Sequence, residues 1–438
     1  MLFLGLVNRK MCQRLANTLS KIPIQQSSSG HHYFPMRKMS ASRGPNAEET
    51  ENFLILNSDD EDVEVIADLE GEQEDDLDED EDAEGGEEDD DEDMDDFPVT
   101  VFTPSRNDAL LFFRGHTDLV FNVELSPSGR FAVSGGKDDR GWLWKAEDGS
   151  PILELTGFKD SVPYVGFSHD EKFVMAADMA GNINVWEVST KEIVFSTEVG
   201  DITWTEWHTS SAILFAGTQD GSISMWLIPS GNMKLLNSFG ETTTSVKLLP
   251  DGRHLLAGYG DGSVRLWDLK TCQIITTIWK LHQGEVLSID VNSSGIVASG
   301  GADGLKFASL ATGKSVHSLQ EFEDCVECVA FSKGTQIYLA AGSLDGILLV
   351  WDVSAGRQRH RIQFGSRSGI CRLLWAGPNH VVAASLDGKI REVDARSGEV
   401  IKEWEGHTSS ILGLSVRGEK LATAAEDRTV GIFQGVVI

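Results

Sequence analysis

Three stretches of this 438-residue sequence carry residue types at spacings that could do chemistry. Ala308-Ser-Leu-Ala-Thr-Gly313-Lys314-Ser315 fits a loose phosphate-loop pattern, in which backbone N–H groups and a lysine would cradle the phosphates of a nucleotide. Cys325 and Cys328 form an isolated CxxC, a spacing that could offer two thiolates to a metal ion. His31 and His32 put two imidazoles side by side. No G-x-S-x-G elbow, H-E-x-x-H pair or regular metal spacing occurs elsewhere. Whether any of the three can act depends on the element beneath it. A phosphate loop must leave a strand and open a helix whose N-terminus faces the anion, and two ligands of one metal must point the same way.

The elements are set by an internal repeat. The segment GYGDGSVRLWDLK at residues 258–270 has relatives in GGKDDRGWLWKAE, AGTQDGSISMWLI, AGSLDGILLVWDV and AASLDGKIREVDA. Aligned on the acidic turn residue, the copies give Asp138, Asp220, Asp261, Asp303, Asp345, Asp387 and Asp427, with Ala180 in the remaining place. Successive gaps are 42, 40, 41, 42, 42, 42 and 40 residues, which means eight copies of one supersecondary unit. Six residues after each turn comes an aromatic position: Trp144, Trp186, Trp226, Trp267, Trp351 and Phe433, with Ser309 and Val393 degenerate. In the first copy VFNVELS, RFAVSGG, GWLWKA and ILEL are short strand-like runs separated by Gly, Asp and Ser turns, so no room is left for helices.

This period and its ending resemble the WD repeat, which builds one four-stranded propeller blade per copy. The expected fold is all-β: an eight-bladed WD-repeat propeller over residues 108–438. The last copy stops at its third strand, Gly431-Ile432-Phe433, and only QGVVI follows. Its missing strand is expected from Ala109-Leu110-Leu111-Phe112-Phe113, which would leave no open edge at the seam. The resemblance also implies a buried hydrogen-bonded set of a histidine, a second-strand hydroxyl, the turn aspartate and the strand tryptophan. His116, Ser134, Asp138 and Trp144 fit that set in the first blade. His407, Thr423 and Asp427 fit it in the last, where Phe433 lacks the ring donor. The turn residues Asp220, Asp261, Asp303, Asp345 and Asp387 are assigned the same structural place. These are structural residues, not catalytic ones.

On such a fold the phosphate-loop match falls between the third and fourth strands of blade five, with no helix to follow, and reads as chance. The CxxC is expected inside a strand, where residues three apart face opposite sides, so the pair reads as two buried thiols. No enzymatic activity, cofactor or metal is expected.

Charge is divided by region. Residues 1–47 hold seven Lys or Arg and no acid, residues 48–97 hold 29 acids and no base, and residues 98–438 hold 40 acids against 30 bases. The middle region is expected to be a disordered, self-repelling acidic arm. Five cysteines without regular spacing point to a reducing compartment. No apolar run approaches the ~18 residues needed to span a bilayer, so membrane insertion is not expected. The stretch MLFLGLVNRKMCQRLANTLSK resembles a mitochondrial presequence. The alternative is that translation starts at Met39, where MSASRGPNAEE reads as an ordinary cytosolic start; the expectation is the second.

A partner would meet the loops that join one blade's fourth strand to the next blade's first. Those loops carry Asp118, Asp160, Asp201, Glu241, Glu285, Glu323 and Asp324, with Glu327 on the strand that follows, against Lys159 and Arg367. Phe121, Tyr164 and Trp204 stand where the first strands begin and are candidate aromatic anchors. An acidic face joined to an acidic arm would attract a basic protein segment and repel nucleic acid.

A narrower resemblance covers most of residues 50–435. KDSVPYVGFSHDEKFVMAADMAGNINVWEV, the run Gly200-Asp-Ile-Thr-Trp-Thr-Glu-Trp-His208, LLPDGRHLLAGYGDGSVRLWDLK and SLDGKIREVDARSG are similar to the angio-associated migratory cell protein family; the basic first 38 residues depart from its pattern. The resemblance implies two roles. One is a chaperone of a basic large-subunit ribosomal protein, as in a fungal member that holds its client's N-terminal segment on an acidic propeller face. The other is an adaptor in cell migration and angiogenesis. A cytoplasmic monomer is expected, with the nucleus and cell periphery as further locations.

Overall fold

The computed structural model describes residues 100–237 and 240–437. The segments 1–47 and 48–97, with the arm expected there, lie outside the described residues. Among the described residues the chain forms eight four-stranded antiparallel sheets, and no helix is long and apolar enough to cross a membrane. In the first blade the strands are Val120–Leu125, Phe131–Gly136, Gly141–Lys145 and Pro151–Leu155, hydrogen-bonded in sequence order from the inside outward. The other blades repeat this order, with one substitution at the seam.

At the seam Ile411–Arg417, Lys420–Ala425 and Val430–Gln434 are completed by Leu111–Phe113. The register pairs Leu111 with Ile432, Phe112 with Gly431 and Phe113 with Val430, and the Leu110 N–H donates to Ile432 O at 2.7 Å. The closing strand is thus shorter than the five apolar residues suggested, with Ala109 and Leu110 leading into it. Phe113 is buried and lies parallel to the Trp144 ring at 4.7 Å, so the residue that closes blade eight also packs into blade one.

The core is a ring of layers between blades. Trp204, Trp207 and Trp226 share one layer with Tyr164 and Trp267 from the neighbouring blades. At the inner rim, each innermost strand has one edge toward the central channel, where its backbone groups lack a strand partner. Side chains bridge that gap. Ser288 and Asp290 accept from the N–H groups of Val329 (3.1 Å) and Phe331 (2.7 Å) one blade on, and Ser415 accepts from Leu125 N–H at 3.0 Å across the seam. Thr244, Ser245 and Tyr164 hydroxyls donate to the next blade's carbonyls at 2.6–2.9 Å.

The turn aspartates do what their regularity implies, by more than one arrangement. His116 bonds Asp138 (3.0 Å) and Ser134 (2.9 Å), and Trp144 Nε1 donates to Ser134 at 3.3 Å. His407 bonds Asp427 (2.9 Å) and Thr423 (2.7 Å). A third set, absent from the sequence reading, joins His282 to Asp303 and to Ser299 at 2.8 Å. In blades four and seven an arginine from the third strand replaces the histidine. Arg265 lies 3.5 Å from Asp261 and 4.1 Å over the Tyr259 ring, while Arg391 donates to Asp387 at 2.7 Å and to Ser385 at 3.1 Å. In blades three and six the turn acid accepts from Thr218 (2.5 Å, to Asp220) and from Ser343 (to Asp345).

Blade two corrects the alignment. Ala180 has no acceptor, and the acid's work falls to Asp178, which accepts from Lys159 N–H at 3.0 Å and Asn182 N–H at 2.7 Å. The Asp-Gly turns have a steric reason: Gly262 sits at φ 77°, and a Cβ there would stand 2.0 Å from His282 O. The phosphate-loop match is a hairpin between Gly304–Ser309 and Lys314–Leu319. Cys325 lies just before Val326–Phe331 rather than within it, and Cys328 is buried beside Gly342 O and Ile370 O, both at 3.7 Å.

Two outcomes follow from this packing. Removing residues 1–97 should leave the melting temperature within a few degrees of the full chain, whereas Phe113→Ala should cost about 3–5 kcal/mol by opening a cavity beside Trp144; thermal melts of the two proteins compare them. Burial alone would raise the Asp427 carboxyl, but His407, Thr429 and the Thr408 N–H outweigh it and hold it at about 2. A depressed carboxyl stabilises the fold above the unfolded value near ~3.9 and loses that contribution as pH falls through the folded value. Asp427→Asn should therefore destabilise by about 1–3 kcal/mol at neutral pH, with the gap from wild type closing between pH 4 and 2 in pH-dependent melts.

Candidate functional site

The loops entering the innermost strands carry their acids outward, because the turn aspartates below hold those loops by their backbone. Thr117, Lys159, Gln283, Glu323 and Thr408 each donate a backbone N–H to the acid of the turn beneath, at 2.9–3.2 Å. On this frame Asp160, Asp201, Glu241 and Glu323 are exposed, and Asp118, Glu285 and Asp324 are half-buried. Asp118, Asp160 and Asp324 each accept the N–H of the following residue, at 2.7, 2.6 and 2.7 Å, which fixes the carboxylates at the strand mouths.

Four sequence candidates do not belong to the surface as expected. Tyr164 is 1% exposed and donates its hydroxyl to Ile202 O at 2.6 Å, and Trp204 is 2% exposed within the layer of tryptophans. Phe121 is half-buried against the same layer. Glu327 is 1% exposed, and its charge acts on buried Arg372 one blade on. All four stand on or next to innermost strands, whose side chains point into the layers between blades, so position near a loop did not make them accessible.

Two residues the sequence reading passed over take their place. Asp139, at φ 57° in the turn of blade one, is exposed; burial and then Asp160, Asp138 and Asp178 push its carboxyl up. These acids from blades one and two therefore act on one another with the same sign. Trp279 is 68% exposed in the loop after Gln273–Ile278, the one large aromatic so exposed among the described residues. The Arg265 guanidinium lies 5.6 Å from its ring centroid, and Glu285 approaches the same blade's turn at Gly260. Asp139 and Trp279 were legible only as members of turns not yet counted, since attention fell on the strand mouths. Of the basic members, Lys159 pairs with Glu198 at 3.5 Å, and Arg367 is exposed.

The channel wall adds a second charged group. Burial pushes the carboxyls of Glu124 and Glu206 up to about 7, and Lys247 pairs with Asp290 at 2.9 Å. Among the described residues no cluster of three or more His, Cys, Asp or Glu has the arrangement of a metal site.

The WD domain, G-beta repeat family matches residues 107–145, 233–268, 313–352 and 398–434. The matched segments fall on blades one, four, six and eight. Ribosome assembly protein SQT1 of Saccharomyces cerevisiae is 25% identical over 392 residues, covering 78% of this chain and 88% of that protein. Among solved structures, Chaetomium thermophilum Sqt1 bound to the N-terminus of ribosomal protein L10 has the same fold, with a TM-score of 0.69 and 24% identity over 75% of this chain and all of that one. The Homo sapiens angio-associated migratory cell protein is 37% identical over 350 residues, covering 75% of this chain and 80% of that protein. Identity at that level over most of both molecules means that the chain belongs to the angio-associated migratory cell protein family.

Proposed function

We propose that the acidic loop face holds a basic segment of another protein, and that the chain serves without catalysis as a cytoplasmic chaperone of a basic large-subunit ribosomal protein during ribosome assembly. The observation that carries this reading is the group Asp139, Asp160, Asp138 and Asp178, whose charges oppose one another across blades one and two. A lysine or arginine arriving there relieves that repulsion, so attraction is built into the free protein. Trp279 supplies what charge alone does not, an aromatic face for an aliphatic stem or a cation. The fold neighbour crystallised with the N-terminus of ribosomal protein L10 supports a ribosomal client. The name of the human relative supports the second reading, an adaptor in cell migration, which would leave a ribosomal peptide unbound.

Fluorescence anisotropy with a labelled N-terminal peptide of ribosomal protein L10 distinguishes the two. Binding to the full chain should weaken at least tenfold between about 50 and 300 mM salt. Asp160→Lys with Asp201→Lys should cost a further ~10-fold or more at low salt, and Trp279→Ala about 5- to 30-fold at any salt. Affinity that ignores both salt and the charge reversals would overturn the assignment.

A further inference from the structure

Most blades spoil their own outer edge. In blades one, two, four, five, six and seven a bulge puts one extra residue into the outermost strand. In blade eight the edge is only the three residues Leu111–Phe113. Bulges and short strands both remove the template for pairing, because they bend or end the row of backbone groups that another strand would need. In blades four, five and seven the extra residue is itself an exposed apolar one, Ile275, Val316 and Ile401. An apolar side chain at such a break does not invite a strand.

Blade three lacks this protection. Its outermost strand, Asn232–Leu236, pairs residue for residue with Ile223–Leu227, from Leu236 opposite Ile223 to Asn232 opposite Leu227. The first four residues of the strand are exposed, Met233 at 54% and Leu235 at 42%. A regular, exposed edge with apolar side chains at alternate positions is a ready template for an added strand.

The two sides of this edge differ in chemistry. Met233 lies opposite Trp226, whose ring stands 6.0 Å from that of Phe195 in blade two, so Met233 and, two residues on, Leu235 turn toward blade two. Lys234 turns the other way and donates to Lys270 O, in the outer turn of blade four, at 3.4 Å. Lys270 is exposed beside it, and one hydrogen bond leaves the Lys234 ammonium two further donors. The edge is therefore apolar on one side and cationic on the other, with backbone N–H and C=O groups between.

We propose that the edge of blade three binds, by strand addition, an extended segment of a partner protein in which apolar residues alternate with acidic ones. Apolar side chains would stand across from Met233 and Leu235 and an acid across from Lys234, the cross-strand pairs that stabilise an added strand. A second copy of this chain fits the edge less well. Antiparallel pairing of the strand about its own middle sets Lys234 against Lys234, and an edge about 17 Å long buries well under the ~1,000 Å² of a stable interface. The site is separate from the acidic loop face and does not rest on what binds there. An acidic segment is repelled by that face and attracted by Lys234.

Fluorescence anisotropy of the full chain with a labelled peptide Thr-Glu-Val-Glu-Val-Glu-Thr tests this, because the probe's acids keep it off the loop face. The same peptide N-methylated at every amide keeps its charges and side chains but cannot donate to the edge, and it should bind roughly tenfold more weakly or worse. Replacing its glutamates with glutamines should weaken binding about 2- to 5-fold. In the protein, Met233→Thr/Leu235→Thr and, separately, Lys234→Glu should each cost about 5- to 30-fold, with the melting temperature unchanged. No binding at about 1 mM peptide, or equal affinity for the methylated peptide or for either variant, would overturn the proposal. So would a concentration-dependent dimer in sedimentation that Met233→Thr/Leu235→Thr dissolves, which would make the edge a contact between copies.

Discussion

A ring of sheets has no end at which packing can stop, so the two ends of the propeller must be joined by backbone hydrogen bonds or the ring remains an open stack. Here three residues, Leu111–Phe113, make that joint against Val430–Gln434. The joint is short, and it is reinforced on each side. Phe113 stacks on Trp144 of blade one, while the Ser105 N–H and hydroxyl donate to the Glu405 carboxylate at 2.7 and 2.8 Å and the Asp108 carboxylate accepts from the Glu405 N–H at 2.9 Å. Every other interface in the ring is held in place because this one prevents the blades from splaying.

Closure in turn dictates where polar groups can go. Eight inner strands set around one axis leave their inner edges unpaired, and hydroxyls and carboxylates such as Ser288, Asp290 and Ser415 satisfy them from the neighbouring blade. A carboxylate such as Asp290 on an inner strand is therefore committed to the fold, as the turn aspartates are, whereas one on an entering loop can stand in solvent. Glu327 and Asp160 illustrate the division: both are acids near a blade's loop end, one sealed between blades and one in solvent.

The repeat made the fold legible. A fixed interval with an Asp turn and an aromatic six residues on is enough to count blades, and the early stop at Phe433 is enough to look for the closing strand upstream. What the pattern hid was substitution of one chemistry for another at the same place. His282 was missed because the residue before it is Leu281 rather than glycine, and Arg265 and Arg391 were missed because an arginine four residues after the aspartate replaces a histidine some twenty residues before it. In both solutions a buried donor holds the turn acid, so position in the alignment is kept while the partner changes. The site was less legible than the fold. Loop membership gave the right sign of charge, but exposure depends on how side chains alternate about an inner strand. Of the seven inner strands with a bulge near their start, that of Ile202–Trp207 turns Trp204 into the layer between blades.

Unrelieved like charges on one face lower the stability of the free protein, and a fold has no need of them. The turn acids show how easily they could be neutralised, since Asp138, Asp303 and Asp427 each have an imidazole and Asp261 and Asp387 a guanidinium. Asp139 has neither, although it adjoins Asp138 in the same turn, and burial, then the neighbouring acids, raise its carboxyl instead of lowering it. The same contrast holds on the opposite sign at blade six, where Arg359 is paired with Asp352 and Arg357 and Arg361 have no carboxylate partner among the described residues. A protein able to pair a charge within a turn, yet leaving the next one unpaired, carries an electrostatic cost that the proposed partner would relieve.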